Sequence, residues 1–237
     1  MLQVCLNGAL PRSASDHLPF TPGELAEAAR AAVAEGAHDI HLHPKDPQGE
    51  DTLLAEHVGA AVRAVRAAVP GVPVGVTTGD WVDPSAHRRA ELIRSWTVLP
   101  DHASVNWHED GAVLIAETLL DVGVGVEAGL FSGTTGPKRF LAWPGAHRVT
   151  RVLAEVTDTD PATALVTARE LLEELAGFGG SVLLHGEGAA AWDVARMAVE
   201  RGLDTRIGLE DTLVLPGGDP AVSNADLVRI VAGYPSR

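Results

Sequence analysis

Cysteine is almost absent: Cys5 is the only one in 237 residues, which excludes an intrachain disulfide and a thiolate metal cluster. It reads as buried filler. Basic residues are also scarce, 18 Lys and Arg against 32 Asp and Glu for a formal charge of −14. That balance argues against a nucleic-acid partner, because such affinity comes mostly from Lys and Arg meeting phosphates. No apolar run approaches the ~20 residues of a membrane span. Met1 to Arg12 lacks a basic segment followed by a long apolar stretch, so a cytoplasmic protein without membrane contact is expected. Aromatic residues make up only 4% of the chain, and the five Trp follow no helical or strand period, which reads as packing and not as a stacking platform. Hydrophobic residues, at 46%, are too frequent for a disordered chain. The length fits one large domain or two small ones. No composition shift marks a boundary, so a single domain over 1–237 is expected.

Short apolar, β-branched-rich runs recur at Gln3–Gly8, Asp39–His43, Val72–Thr78, Ala103–Trp107, Val122–Glu127, Val149–Val156, Ser181–His185 and Thr205–Glu210. Most precede longer Ala/Leu/Arg/Glu segments with helical spacing. Thr21-Pro22-Gly23-Glu24 combines an N-cap, a Pro at the first helical position and a Glu three residues after the cap, and Asp160-Pro161 opens another helix in the same way. Gly36, Gly123, Gly179 and Gly202 stand where left-handed C-caps are wanted before strands. Strand and helix therefore alternate, implying a parallel sheet with right-handed crossovers. Eight units of about 29 residues approach the ~250 typical of an α/β (β/α)8 TIM barrel. An open doubly wound sheet competes, but Asn7-Gly8-Ala9-Leu10-Pro11 carries no G-x-G-x-x-G phosphate turn. The fifth unit is weakest, since Phe131–Ala146 can hold only a short helix.

In such a barrel, catalytic groups sit at the C-terminal ends of the strands. Polar residues collect there: His41-Leu42-His43 after strand two, Thr77-Thr78-Gly79-Asp80 after three, Asn106-Trp107-His108-Glu109 after four, Glu127 at the end of five, Glu155 at the end of six, His185-Gly186-Glu187 after seven, and Glu210-Asp211 after eight. Alternation sends His41 and His43 to one face, roughly 6.6 Å apart along the strand. Two imidazoles and a carboxylate make a catalytic zinc site with one open position, and Glu210 on strand eight is within reach of strand two across strand one. Two histidines hydrogen-bonded in the barrel mouth without metal are the plainer reading. Arg206 shares the parity of Glu210 and needs a carboxylate partner if buried; Glu127 is a candidate, and the pair is either an internal salt bridge or an orienting device. Asp211 is either a general base or a cap for the following loop. His108-Glu109, Glu155 and His185 read more simply as hydrogen-bonding loop and mouth residues. Ala26–Ala34 and Ala189–Val199 read as barrel-surface helices or oligomer contacts.

The motifs in this order resemble the β-keto acid cleavage enzyme family, which includes the 3-keto-5-aminohexanoate cleavage enzymes. The match is carried by Asn7-Gly8-Ala9, Leu18-Pro19-Phe20-Thr21-Pro22 leading to Gly36-Ala37, His41-Leu42-His43 with Asp46-Pro47, Thr77-Thr78-Gly79, and Arg206-Ile207-Gly208-Leu209-Glu210-Asp211 followed by Ser223-Asn224-Ala225. The resemblance implies a (β/α)8 barrel and a Zn2+ ion held at His41, His43 and Glu210. It also implies catalytic positions at Asp211, Glu127 and Arg206, and substrate-binding positions at Thr77, Ser104, Asn106 and Asn7. The implied activity is that of a zinc-dependent acyltransferase. A β-keto acid is condensed with acetyl-CoA as co-substrate and cleaved to acetoacetate and a new acyl-CoA by Claisen and retro-Claisen steps, in a homo-oligomer. Zinc would act as Lewis acid for the enolate and Asp211 as base.

Departures from the family pattern bear on the acyl acceptor. Lys45 stands where Arg is frequent, and Leu10 where a polar residue is frequent, which suits an apolar substrate tail. Val156–Gly180 lacks a Gly-rich stretch, His185-Gly186-Glu187-Gly188 replaces Gly-x-Gly-Arg, and the chain is short between strands five and six and at its C-terminus. A CoA-independent zinc hydrolase or lyase of a small keto acid, and a non-catalytic metal-binding barrel, therefore stay open as alternatives. Since a keto acid and CoA are both anionic, local positive potential is expected from zinc with Arg206, Lys45, Arg12 and Arg139.

Overall fold

The computed structural model describes residues 1–158 and 160–235. Strands and helices alternate from the first strand to the last helix: β1 (Leu2–Cys5), α1 (Pro22–Ala34), β2 (Asp39–Leu42), α2 (Ala55–Ala68), β3 (Val74–Val76), α3 (Ala86–Arg94), β4 (His102–Asn106), α4 (Ala112–Asp121), β5 (Gly125–Phe131), α5 (Gly136–Leu141), β6 (Arg151–Val156), α6 (Pro161–Glu174), β7 (Val182–Gly186), α7 (Ala191–Glu200), β8 (Thr205–Ile207) and α8 (Asn224–Ala232). All pairings are parallel, in the order β7-β6-β5-β4-β3-β2-β1-β8. The circle closes between β7 and β8. There Leu184 N–H donates to Asp204 O at 2.9 Å and the Thr205 hydroxyl to Leu184 O at 2.8 Å. The fold is a (β/α)8 barrel. Among the described residues, no helix is long and apolar enough to cross a membrane.

Local chemistry sets the boundaries. Thr21 Oγ1 accepts from Glu24 N–H, and the Glu24 carboxylate accepts from Thr21 N–H at 2.8 Å, so α1 begins in a complete capping box. Asp160 caps α6 by accepting from Ala162 N–H at 2.9 Å. Gly123 adopts φ +84° after α4, whereas Gly179, expected to do the same after α6, does not, because α6 already ends at Glu174. That turn at Gly123 also moves the fifth strand. Val122 closes α4, so β5 starts at Gly125 and runs to Phe131, and the expected strand Val122–Glu127 is displaced toward the C-terminus. Glu127 is therefore its third residue, not its last.

The two faces of the barrel differ in chemistry. Outward residues such as Val4, Ile40, Val76, Val105, Leu130 and Ile207 are buried under the helices. Inward positions carry Gln3, Asp39, His41, Glu127, Arg151, Glu155, His185 and Arg206, all buried. A polar lumen must satisfy its own charges, and it does so in two tiers. At the N-terminal ends of the strands, Arg151 Nε donates to Glu127 at 2.5 Å and its Nη2 to Asp39 at 2.6 Å. His102 lies 3.0 Å from both of those carboxylates. The second tier is at the mouth.

Candidate active site

β2 delivers two imidazoles to the mouth with ring centroids 5.3 Å apart. Glu210, three residues beyond the end of β8, faces them, its Oε2 lying 3.8 Å from His41 Nε2 and 3.6 Å from His43 Nε2. These separations are too long for hydrogen bonds and short enough for one ion to bridge. Glu210 Oε2 is buried without a hydrogen-bond partner, as expected of a donor set built around a cation. One ligand atom from each of the three residues lies within 4.8 Å of the others. Burial, with the nearby His43 and Arg206, lowers His41 to about 4, despite the opposing charge of Glu210. The imidazole is thus neutral and able to ligate. Burial would raise Glu210, yet Arg206 and the two histidines hold it at about 2, fully ionised.

Arg206 is the link to the next residue. Its Nη2 donates to Glu210 Oε1 at 2.9 Å and to Asp211 Oδ1 at 2.8 Å, and its Nε also donates to Asp211 Oδ1 at 3.1 Å. Asp211 Oδ2 is left buried and unpartnered. Burial, reinforced by the charges of Glu210 and Glu187, raises Asp211 to about 8 against the pull of Arg206. Asn224, at the start of α8, fixes the backbone beneath both acids, accepting from Leu209 N–H and donating to Leu6 O, each at 2.9 Å.

The other expected residues divide. Thr77 is buried just past the mouth end of β3, whereas Ser104 is buried in the middle of β4, in register with Glu127. Asn106 ends β4 and donates to Glu109 at 2.7 Å. Asn7 spends both ends of its amide on the backbone of His43, donating to the carbonyl and accepting from the N–H, each at 2.9 Å. Glu127 is not brought to the mouth. It lies in the lower tier with Arg151 and His102, and the partners of Arg206 are Glu210 and Asp211. Glu109 is spoken for by Arg89 at 2.6 Å, so that loop has the plain structural role. Arg12 pairs with Glu24, Lys45 with Asp51, and Arg139 donates to the carbonyls of His108 and Glu109. All three basic side chains are thus engaged by protein partners.

Three residues that sequence reasoning left without a specific role complete the picture. His185 is fully buried between Glu155 (3.4 Å) and Asp211 (3.9 Å) with neither ring nitrogen hydrogen-bonded, and burial lowers its pKa well below the ordinary value. Asp51 and Trp81 bracket His43: Asp51 Oδ2 lies 2.8 Å from His43 Nδ1, and the indole stacks on the imidazole at 5.8 Å and 12°. Trp81 is thus an exception to the packing role, which Trp107 and Trp143 do fill around Phe140. Two cavities open among the loops that follow β1, β2 and β3, with none of His41, His43 and Glu210 in their linings. One of about 450 Å³ is lined by Arg12, Phe20, Lys45 and His57, and one of about 220 Å³ by Ala9, Leu10, Lys45, Trp81 and Val82.

The profile of the beta-keto acid cleavage enzyme family matches residues 1–123 and 144–234. The stretch between, 124–143, holds β5 and α5 and with them Glu127. A curated 3-keto-5-aminohexanoate cleavage enzyme from Fusobacterium nucleatum subsp. nucleatum is 25% identical over 230 residues, 90% of this chain and 82% of its own. One from Acetoanaerobium sticklandii is 23% identical, over 91% of this chain and 83% of its own. The solved ternary complex of ObcA with a C4-CoA adduct and oxalate has the same fold, with a TM-score of 0.76 at 17% identity over 92% of this chain. This chain spans only 63% of that one.

Proposed function

The chain belongs to the beta-keto acid cleavage enzyme family, and from that premise we propose that it is a zinc-dependent acyltransferase using acetyl-CoA. In the proposed reaction a β-keto acid and acetyl-CoA yield acetoacetate and the acyl-CoA of the keto acid's remaining part. The reading rests on one observation: the His41 and His43 imidazoles converge on a carboxylate, Glu210, whose Oε2 is unpartnered, beside a second carboxylate, Asp211, with an unpartnered oxygen of its own.

His41, His43 and Glu210 would hold the ion, which when bound supplies Lewis-acid polarisation of the substrate's keto oxygen. Asp211 takes the proton from the carbon between the keto and carboxylate groups through Oδ2. A proton affinity near neutrality, produced by burial, suits a general base. Arg206 holds Oδ1 through two N–H groups, so the base has one fixed direction of approach. Thr77 and Asn106, at the mouth ends of β3 and β4, and Ser104 one step deeper on the same face of β4, would orient the polar atoms of the substrate. Leu10, Trp81 and Val82 would take an apolar keto-acid tail in the smaller cavity, which Lys45, Glu50 and Asp51 also line.

A second reading, without CoA, is favoured by one feature. The loops after β6 and β7 present Asp158, Asp160 and Glu187, a poor seat for phosphates. Metal-replete protein should be screened against a series of β-keto acids with and without isotopically labelled acetyl-CoA. Label appearing in acetoacetate supports the acyl transfer; turnover independent of acetyl-CoA supports the second reading. Loss of neither metal nor turnover in His41→Ala would refute the site.

A further inference from the structure

Asp51 lies in the loop after β2, eight residues beyond His43, with its side chain only 5% exposed. Three nitrogen-bearing side chains surround its carboxylate. Trp81 Nε1–H donates to Oδ2 at 2.7 Å, His43 Nδ1 lies 2.8 Å from the same oxygen, and the Lys45 ammonium is 2.5 Å from Oδ1. Lys45 also donates to Gly8 O at 2.9 Å, and Gly8 packs directly beneath Glu210. An antiparallel bridge between Lys45 and Asp51 closes the intervening loop, so the carboxylate has a fixed seat.

The tautomer follows from this inventory. An indole N–H and an ammonium can only donate, and a carboxylate facing them accepts. His43 Nδ1 must therefore carry the proton, and its Nε2 lone pair is directed toward Glu210 Oε2. The stacked Trp81 ring holds the imidazole plane. His41 has no such support, its Nδ1 being without a partner.

We propose that Asp51, held by Lys45 and Trp81, is the positioning group of the metal centre, fixing the tautomer and ring plane of His43 and, through Lys45 and Gly8, the seat of Glu210. It touches neither the ion nor the substrate; it sets how tightly the three ligands hold a cation. The inference rests on the metal-centre reading above. It also accounts for a substitution in the sequence pattern, since Lys45 is needed here as a compact charge spanning Asp51 and a backbone carbonyl.

The test is metal affinity, read independently of turnover. Chelator-stripped protein is titrated with Zn2+ against a chromophoric chelator, and with Co2+ while its visible absorption is recorded. Asp51→Asn should lower Zn2+ affinity about 10–100-fold, the usual effect of losing such a support, and should shift the Co2+ spectrum. Trp81→Phe keeps the ring and removes the N–H; it should give a smaller loss in the same direction, and it decides the matter if Asp51→Asn does not fold. A residue serving only the loop would lower the melting temperature and leave affinity and spectrum unchanged. Wild-type affinity and spectrum in both folded variants, or in Trp81→Phe alone if Asp51→Asn is unfolded, overturns the proposal. Wild-type protein that binds neither ion overturns the metal-centre reading first, and this proposal with it.

Discussion

Gly8 and Glu210 are in such close contact that no side chain fits between them. A Cβ at Gly8 would stand 2.6 Å from Glu210 Cγ, and Gly8 itself has φ +59°. Gly8→Ala must therefore strain the backbone by about 1–2 kcal/mol and push Glu210 off the line to the histidines. The expected result is a modest fall in the urea midpoint with a disproportionate loss of zinc retained after dialysis. Full zinc retention would mean that Glu210 is not held by this contact.

Arg206 serves two carboxylates with one planar fork, which Lys cannot reproduce. In Arg206→Lys the charge stays, but Asp211 loses one of its two fixed bonds. A misplacement of about 1 Å at a base can cost about 10²-fold in rate, so kcat should fall by that order with a smaller change in KM. Arg206→Met leaves two buried acids uncompensated and should lose about 3–5 kcal/mol of stability, measured by urea unfolding. A stable, active Met variant would contradict the geometry.

Much of this was legible in the sequence where period and spacing carry the information. His41 and His43 reach one side because alternation has period two along β2 and its end, but the strand expected through Glu210 stops at Ile207, and Arg206 meets Glu210 across the turn that follows. The fold came from repeated caps and apolar runs. Glu127 was misplaced because a Gly inside an apolar run can end a helix turn or belong to a strand, and only the packing of α4 decides that Val122-Gly123 is the turn. Asp51 and Trp81 carry no local signal at all, and His185 was visible only as one more polar residue at a strand end. Their roles come from loops folding back across the mouth, which depends on contacts between residues far apart along the chain, such as the 30 between Asp51 and Trp81.

Removal of the ion should separate the upper tier from the fold. His41→Ala leaves the barrel helices and the lower tier intact, so its circular dichroism should match the wild type. Its zinc content should fall below stoichiometry and its β-keto acid turnover to background, as should those of chelator-treated wild type. Zinc added back should restore the treated wild type and not the variant. Restoration of both would show that His41 is not a ligand.

The lower tier makes the last prediction, about stability. His102 is raised to about 10: burial opposes the charge, but Glu127 and Asp39 outweigh it. A raised cation contributes in full below its unfolded value near 6.5, and the contribution is lost as pH climbs through about 10. Glu127 and Asp39 are lowered, despite burial, by His102 and Arg151. Their contribution is present above ordinary carboxylate values and lost in acid. The cluster therefore favours the fold most between about pH 4.5 and 6.5, and the melting temperature should decline from pH 6.5 toward 10. His102→Gln should flatten that decline. Glu127→Gln removes a carboxylate from beside a buried Arg and His, and should cost about 3–5 kcal/mol in urea unfolding at pH 6. Because Glu127 stands below the metal site, turnover per folded, zinc-loaded molecule should stay close to wild type in this variant. A folded Glu127→Gln protein that binds zinc and has lost turnover would return Glu127 to the chemistry and overturn its assignment to the lower tier.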